Sequence, residues 1–240
     1  VCLSLLAAAA LPTLAGPLNP PAGPVAPTHK TLTEVEPRTA INATNTPGDA
    51  DSLYRITQNG SYYRTGHVVV PGGRAGIEVS NGTAANVSID LNGFTIEGQP
   101  GSLAGIRTLI VPGGSSLSIR NGNIKHMGGS GIDVYAQACA VSDVSAQFCG
   151  GDGIRVDSTA GTVTNCRAHS NSGDGFHLGV QSTISGCTSI LNMGDGFDVL
   201  AANLVTSCTS QSNSGMGIVT LGSGSISNCL VSGGSDGIRV

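Results

Sequence analysis

The sequence predicts an all-β solenoid whose coils are about 21–22 residues long. Three observations carry that prediction. First, one phrase recurs through the second half of the chain: a small-residue turn, then Gly, a large apolar residue, any residue, and another mostly apolar one. Its copies begin at Gly131, Gly153, Gly175, Gly196, Gly217 and Gly237, so the glycines step by 22, 22, 21, 21 and 20 residues. Second, Cys166, Cys187, Cys208 and Cys229 step by 21, the same period, which fits no zinc or redox spacing. Third, the composition suits a thin repeated core better than a globule. There are 36 glycines, 3% aromatics and 11% charged residues, yet 39% of the chain is apolar and most of that is small or β-branched.

The elements follow in chain order. Val1 to Ala15 is apolar and ends in a small residue, and it is expected to be a truncated signal peptide lacking its initiator Met and basic segment. The chain is therefore expected to be secreted or on the cell surface. Gly16 to Thr28 holds five prolines and reads as a linker. Lys30 to Asp49 is expected to include a short helix with Thr31 or Thr33 near its N-cap. Together with Ser61 to Val70 it is expected to cap the first coil, since an uncapped coil exposes core and strand edge. Residues 16–50 are thus linker and cap, and 51–240 are solenoid. The chain ends inside a phrase at Gly237-Ile238-Arg239-Val240, so the sequence is expected to stop short of further C-terminal coils.

From Ser52 on, short alternating runs end at Gly, Asn or Pro corners: Leu53-Tyr54-Arg55-Ile56, His67-Val68-Val69-Val70, Gly76-Ile77-Glu78-Val79, Val87 to Leu91 and Leu117-Ser118-Ile119. The Gly-Ile marks at 76, 105 and 131 lie 29 and 26 apart, so the early coils carry longer loops. Superposing the later coils gives one inner row of Val141, Val163, Ile184, Val205 and Ile226. A second inner row is Ile154, Phe176, Phe197, Ile218 and Ile238. Asn171, Asn192 and Asn213 form a corner row whose amides can satisfy turn backbone and one another. The four periodic cysteines read as an inward ladder of small hydrophobes. Cys139 and Cys149 are expected to be able to form a disulfide in an exported chain.

The 21-residue period and the Asn-Ser-Gly-Asp-Gly-Phe phrase at 171–176 together resemble the right-handed, single-stranded parallel β-helix. That is the fold of pectate lyases, polygalacturonases, alginate epimerases and phage tailspikes, and the resemblance covers most of 52–240. It implies the hand of the coil, and a polysaccharide, acidic above all, as the partner class. It also implies that catalytic groups stand on the outer side of the first sheet. The polygalacturonase set of Asn-Thr-Asp, paired Asp-Asp, Gly-His-Gly and Arg-Ile-Lys is absent. The only lysines, Lys30 and Lys125, lie off the outward row.

In each phrase the residue between the two apolar positions points outward by strand alternation. That row reads Glu78, Arg107, Asp133, Arg155, His177, Asp198, Val219 and Arg239. Within it Asp133, Arg155, His177 and Asp198 put acid, base and cation side by side, a set able to bind an acidic sugar and move a proton on it. The same row is also what ordinary cross-strand pairing of alternating charge would look like. A second row, Asp152, Asp174, Asp195 and Asp236, stands just before the glycines. Such residues either cap their own corners or hold Ca2+, with Asp174 and Asp195 the metal candidates. A net charge of −4 offers no basic footprint for nucleic acid, and no run of 18 apolar residues is present to span a membrane. Two function classes remain: a secreted protein that binds or modifies acidic polysaccharide, and a non-catalytic structural or adhesive module.

Overall fold

A computed structural model describes residues 36–80, 86–109 and 115–240. The expected signal segment, the proline-rich linker and the Thr31/Thr33 helix cap lie outside the described residues. Every pairing between the strands of the described residues is parallel, and the chain winds through about nine coils. One sheet has nine strands in simple sequence order: Ser52–Ile56, Ala75–Val79, Ile106–Thr108, Ile132–Val134, Ile154–Val156, Phe176–Leu178, Phe197–Val199, Met216–Thr220 and Asp236–Arg239. A 15-stranded sheet makes the other walls. It is joined along its length by two ten-residue strands, Ser116–Lys125 and Ala138–Gln147, which turn a corner without losing their pairing.

The repeat phrase explains the nine-stranded sheet locally. Its apolar-x-apolar triplet gives three extended residues with the outer two inward: Ile154, Phe176, Phe197 and Ile218 are fully buried. They stack in register, Ile154 on Phe176, Phe176 on Phe197 and Phe197 on Ile218. The two phenyl rings lie parallel, 4° apart in plane and 5.0 Å between centroids. Val141, Val163, Ile184, Val205 and Ile226 form the second inner row as expected. Burying each of these side chains contributes about 1.5–3 kcal/mol, but only because the next rung covers it.

Polar groups left inside are closed by repetition as well. The Asn171 amide donates to Asn192 Oδ1 at 2.9 Å, and the Asn192 amide to Asn213 Oδ1 at 2.9 Å. Each Oδ1 also accepts a backbone N–H from the rung before: Cys149 to Asn171, Asn171 to Asn192 and Asn192 to Asn213. The three asparagines are 1% exposed or less, so an unpaired member would be costly.

Three expectations are corrected. Glu36 to Asp49 contains no helix; it holds the short strand Thr39–Ala40 and turns. Ser61 to Val70 does not cap the solenoid but builds its first coil, through Gly60–Tyr63 and Val68–Val70, which pair with the next coil's Asn86–Asp90 and Thr95–Gly98. The alternation of Tyr62, Val68 and Val70 toward the core makes this segment a rung. The cover is supplied by the stretch before it, where Thr39–Ala40 pairs with Gly60–Tyr63 and Ile41 is fully buried. Finally, Cys139 and Cys149 are free thiols. Cys139 lies near the start of Ala138–Gln147 and Cys149 two residues past its end, on either side of the corner that the strand turns at Asp143, and the Cys149 thiol donates to the Gln147 carbonyl. Burial pushes their thiols up to about 12 and about 11. Cys166, Cys187 and Cys208 are buried in the corner column, and each thiol donates to a carbonyl two residues back.

Among the described residues no helix is long and apolar enough to cross a membrane.

Candidate functional site

The nine-stranded sheet carries the outward row in the expected register: Glu78 beside Arg107, Asp133 beside Arg155, Arg155 beside His177, His177 beside Asp198. The row splits into two unlike halves. Near the first coils, Glu78 is fully buried between two guanidiniums. Arg107 donates to Glu78 Oε2 at 2.6 Å, and Arg55 Nε stands 3.3 Å from Glu78 Oε1. Charge closes on itself there.

Further along, the side chains gather around His177. Its Nδ1 is 2.8 Å from Asp198 Oδ2, and its Nε2 is 3.1 Å from Asp157 Oδ1. Asp157 Oδ2 in turn accepts from Arg155 Nε at 2.8 Å, and Arg155 Nη1 reaches Asp152 Oδ2 at 3.5 Å. The His177 side chain is 13% exposed and Asp157 16%, so this is a half-sunken cluster on an open face. A neutral imidazole has one donor and one acceptor, whereas a carboxylate only accepts. Both contacts of His177 are hydrogen bonds only when a proton is shared within the Asp157–His177–Asp198 set. The Asp198 hydrogen bond accordingly raises the His177 pKa above the ordinary imidazole value, against the opposing effect of burial.

The neighbouring carboxyls are driven apart. Burial raises Asp174 to about 6, helped by the charges of Asp152, Asp198 and Asp195 and opposed by the Asp195 N–H it accepts. Burial would raise Asp157 too, but hydrogen bonds from Arg155 and Tyr135 outweigh it and hold that carboxyl below its usual range. Asp133 is raised by burial, with Arg155 pulling the other way. Carboxyls whose environments push them in opposite directions are what acid and base roles require.

Of the residues singled out from the sequence, Arg155, His177 and Asp198 meet in this cluster. Asp133 stands at its rim, its Oδ1 3.9 Å from Arg155 Nε and too far to bond. The corner row behaves as caps: Asp152 Oδ1 accepts the Asp174 N–H, Asp174 Oδ1 accepts that of Asp195, and Asp195 Oδ1 accepts that of Met216. Asp174 also leans over the face, where it, His177 and Asp198 each offer a ligand atom, all within 4.8 Å of one another. Asp195 is not in that trio, and the Asp236 side chain lies outside the described residues. Two carboxylates with an imidazole suit a transition ion such as Zn2+ or Mn2+ better than the all-oxygen shell of Ca2+.

Asp157 was missed by sequence reasoning. It falls one residue outside the repeated phrase, directly after Val156, yet alternation sends it outward again: Ile154 in, Arg155 out, Val156 in, Asp157 out. Tyr135 holds the equivalent place one coil earlier, and Asp157 raises the pKa of its hydroxyl. Carrying the alternation one step further would have found both.

Comparison with known proteins bears on the fold. A sequence profile described as the right handed beta helix region matches residues 104–240. No curated protein matches the chain. Among solved structures, the A-module of the mannuronan C-5 epimerase of Azotobacter vinelandii aligns over 84% of this chain and 86% of its own, at 14% identity and a TM-score of 0.40. The profile spans more than half of the sequence and overlies the coils just described, so the chain belongs to the right-handed β-helix family.

Proposed function

We propose that this is a secreted or surface β-helix protein that binds an acidic polysaccharide along the outward row and moves a proton on it at His177. The observation that carries the reading is the His177 imidazole set 2.8 Å from Asp198 and 3.1 Å from Asp157, a geometry that needs a shared proton, beside an Asp174 that burial raises to about 6. In this scheme Asp198 orients the imidazole through Nδ1, His177 gives or takes the proton, Asp174 serves as the second proton carrier, and Arg155 anchors a sugar carboxylate. A row of groups at one strand spacing along an open face suits a linear polymer lying along the solenoid axis. The acids outnumber the bases, so a divalent cation on Asp174, His177 and Asp198 would compete with the shared proton for the same atoms, whereas Ca2+ between Asp174 and Asp195 would offset charge at the corner and bridge to a uronate.

A second reading, a structural or adhesive module, is favoured by a specific observation. Both His177 nitrogens and the Arg155 Nε already have partners within the protein, and coils closing in 20–22 residues after Gly153 leave little chain for loops to wall a cleft.

The test is turnover of uronate polymers by the purified protein, with and without Ca2+ or Mn2+, in wild type and His177→Ala. The catalytic reading expects product from wild type and at least a hundredfold loss in the variant. No turnover on the panel leaves the structural module standing.

A further inference from the structure

We propose that a second glycan-binding site lies on a corner of the 15-stranded sheet, built on Phe148 and taking an anionic polysaccharide. It is carried by observations separate from the His177 cluster.

The first is a backbone cost that burial does not offset. Three corner rows use the left-handed conformation, the shortest of them at Gln181 and Ala202. One is filled by residues that adopt it cheaply: Asn92, Asn121, Asp143, Asn165, Gly186, Ser207 and Asn228. Another reads His126, Phe148, Ser170, Leu191, Ser212 and Gly233, with φ between 52° and 67°. Serine or glycine suffices at three of those six positions, yet Phe148 and Leu191 place bulky side chains in a conformation that penalises them. Neither side chain is repaid by burial, since Phe148 is 48% and Leu191 52% exposed. Strain retained at an exposed, well-defined position points to use rather than to packing.

The second observation is what surrounds Phe148. Its ring stacks on that of His126, centroids 5.4 Å apart and planes 26° apart, and His169 meets it edge-on at 5.5 Å. The platform rims a hollow of about 570 Å3, floored by the backbone of Gly128 and Gly150 and flanked by the Ser170 and Ser172 hydroxyls. That volume lies in the range of small-ligand sites.

The third observation is charge. Arg167 points outward two residues before His169 on the same strand, lines the adjoining hollow with Asn123 and Asn165, and makes no ion pair among the described residues; Lys125 lies in register with Gln147 and His169. Glu97 is the acid here, and it is engaged by Lys125 and His126 at 3.1 and 3.2 Å. On a chain of net charge −4 a polymer lying across this wall would thus meet the half-exposed Phe148 ring in one hollow and the unpaired Arg167 in the next. A pyranose presents a C–H face to stack on a ring, hydroxyls for serine and amide partners, and, when it is a uronate, a carboxylate for Arg167. The strip is one residue wide, too narrow for the broad patch a protein partner needs.

The test is calorimetric titration of the full chain with oligomannuronate, oligogalacturonate and a neutral cello-oligosaccharide, for wild type, Phe148→Ser, Arg167→Gln and His177→Ala. Phe148→Ser installs the residue already used at Ser170 and Ser212, so Tm is expected to stay level or rise while affinity for the uronates falls at least tenfold. Arg167→Gln is expected to weaken the uronates and leave the weaker neutral glycan unchanged. His177→Ala is expected to keep the binding event that Phe148→Ser removes, whatever it does to binding along the outward row: an event lost in Phe148→Ser and kept in His177→Ala supports the corner site, and absent turnover counts only against the catalytic reading. The proposal is overturned by uronate titrations from which Phe148→Ser removes no binding event, by a neutral glycan binding as tightly as the uronates in the event that Phe148→Ser removes, or by a Tm drop in Phe148→Ser that marks Phe148 as packing. Self-association abolished by Phe148→Ser would overturn it in favour of a second copy.

Discussion

The outward row of the nine-stranded sheet carries charge at both ends of the solenoid, and the two ends treat it in opposite ways. In the early coils Arg55, Glu78 and Arg107 alternate in sign, Glu78 is fully buried between the two cations, and Asp49 pairs with Arg55 at 2.7 Å, so two acids meet two bases. In the later coils Asp133, Asp152, Asp157, Asp174 and Asp198 surround only Arg155 and His177, partly exposed, with a proton needed to complete the hydrogen bonds. The same register and strand geometry serve both. The difference teaches that a charged ladder is structural where its signs cancel and becomes chemically poised where they do not.

The comparison can be broken first at its closed end. Glu78→Gln takes from Arg107 its carboxylate, while Arg55 keeps Asp49, and is expected to cost about 3 kcal/mol in equilibrium denaturation; a loss below about 1 kcal/mol would mean that the ladder does not stabilise the early coils. Asn192→Ala serves as a neutral closed row, with an expected cost of about 2 kcal/mol from the partners left unsatisfied at Asn171 and Asn213.

At the open end the sign reverses. The Asp174 pKa, about 6, lies above its unfolded value of about 3.9. The fold therefore favours its protonated form, and that contribution is complete below pH ~4 and lost as pH rises through about 6. Asp174→Asn keeps an Oδ1 for the Asp195 N–H and removes the carboxylate, so it is expected to stabilise by about 1 kcal/mol at pH 8, discounted for partial exposure, and by nothing near pH 3.5. A variant equally stabilised at both pH values would contradict the burial argument. His177, raised by Asp198, acts in the same direction: its contribution is whole below the unfolded value of about 6.5 and lost as pH rises through the folded one. Asp157 opposes them, its contribution present above about 3.9 and lost as pH falls through its lowered value. The smallest stability effect is expected from His177→Gln at a pH above the raised His177 value, within about 1 kcal/mol, because its contribution is lost there.

The fold was legible because a solenoid writes its geometry as a period. One phrase located the nine-stranded sheet from Ile132 on, both inner rows and the asparagine ladder, since each depends only on the coil above and below. What escaped lies off the phrase. The helix expected before Asp49 and the cap expected at Ser61 to Val70 failed because the first coil has no period to be read against. The Cys139–Cys149 pairing failed because the strand turns a corner at Asp143 and leaves the two thiols on either side of it. Asp157 escaped by one position, and the strain at Phe148 escaped because a left-handed φ leaves no mark on a phenylalanine codon.

The central claim, that the open half of the row holds a usable proton, is tested most directly by NMR titration of the His177 ring in the free protein and with an oligouronate bound. The account predicts a pKa above that of an ordinary histidine, set by Asp198 and moved by the ligand. A ring titrating as an ordinary exposed imidazole, indifferent to the oligouronate, would contradict it.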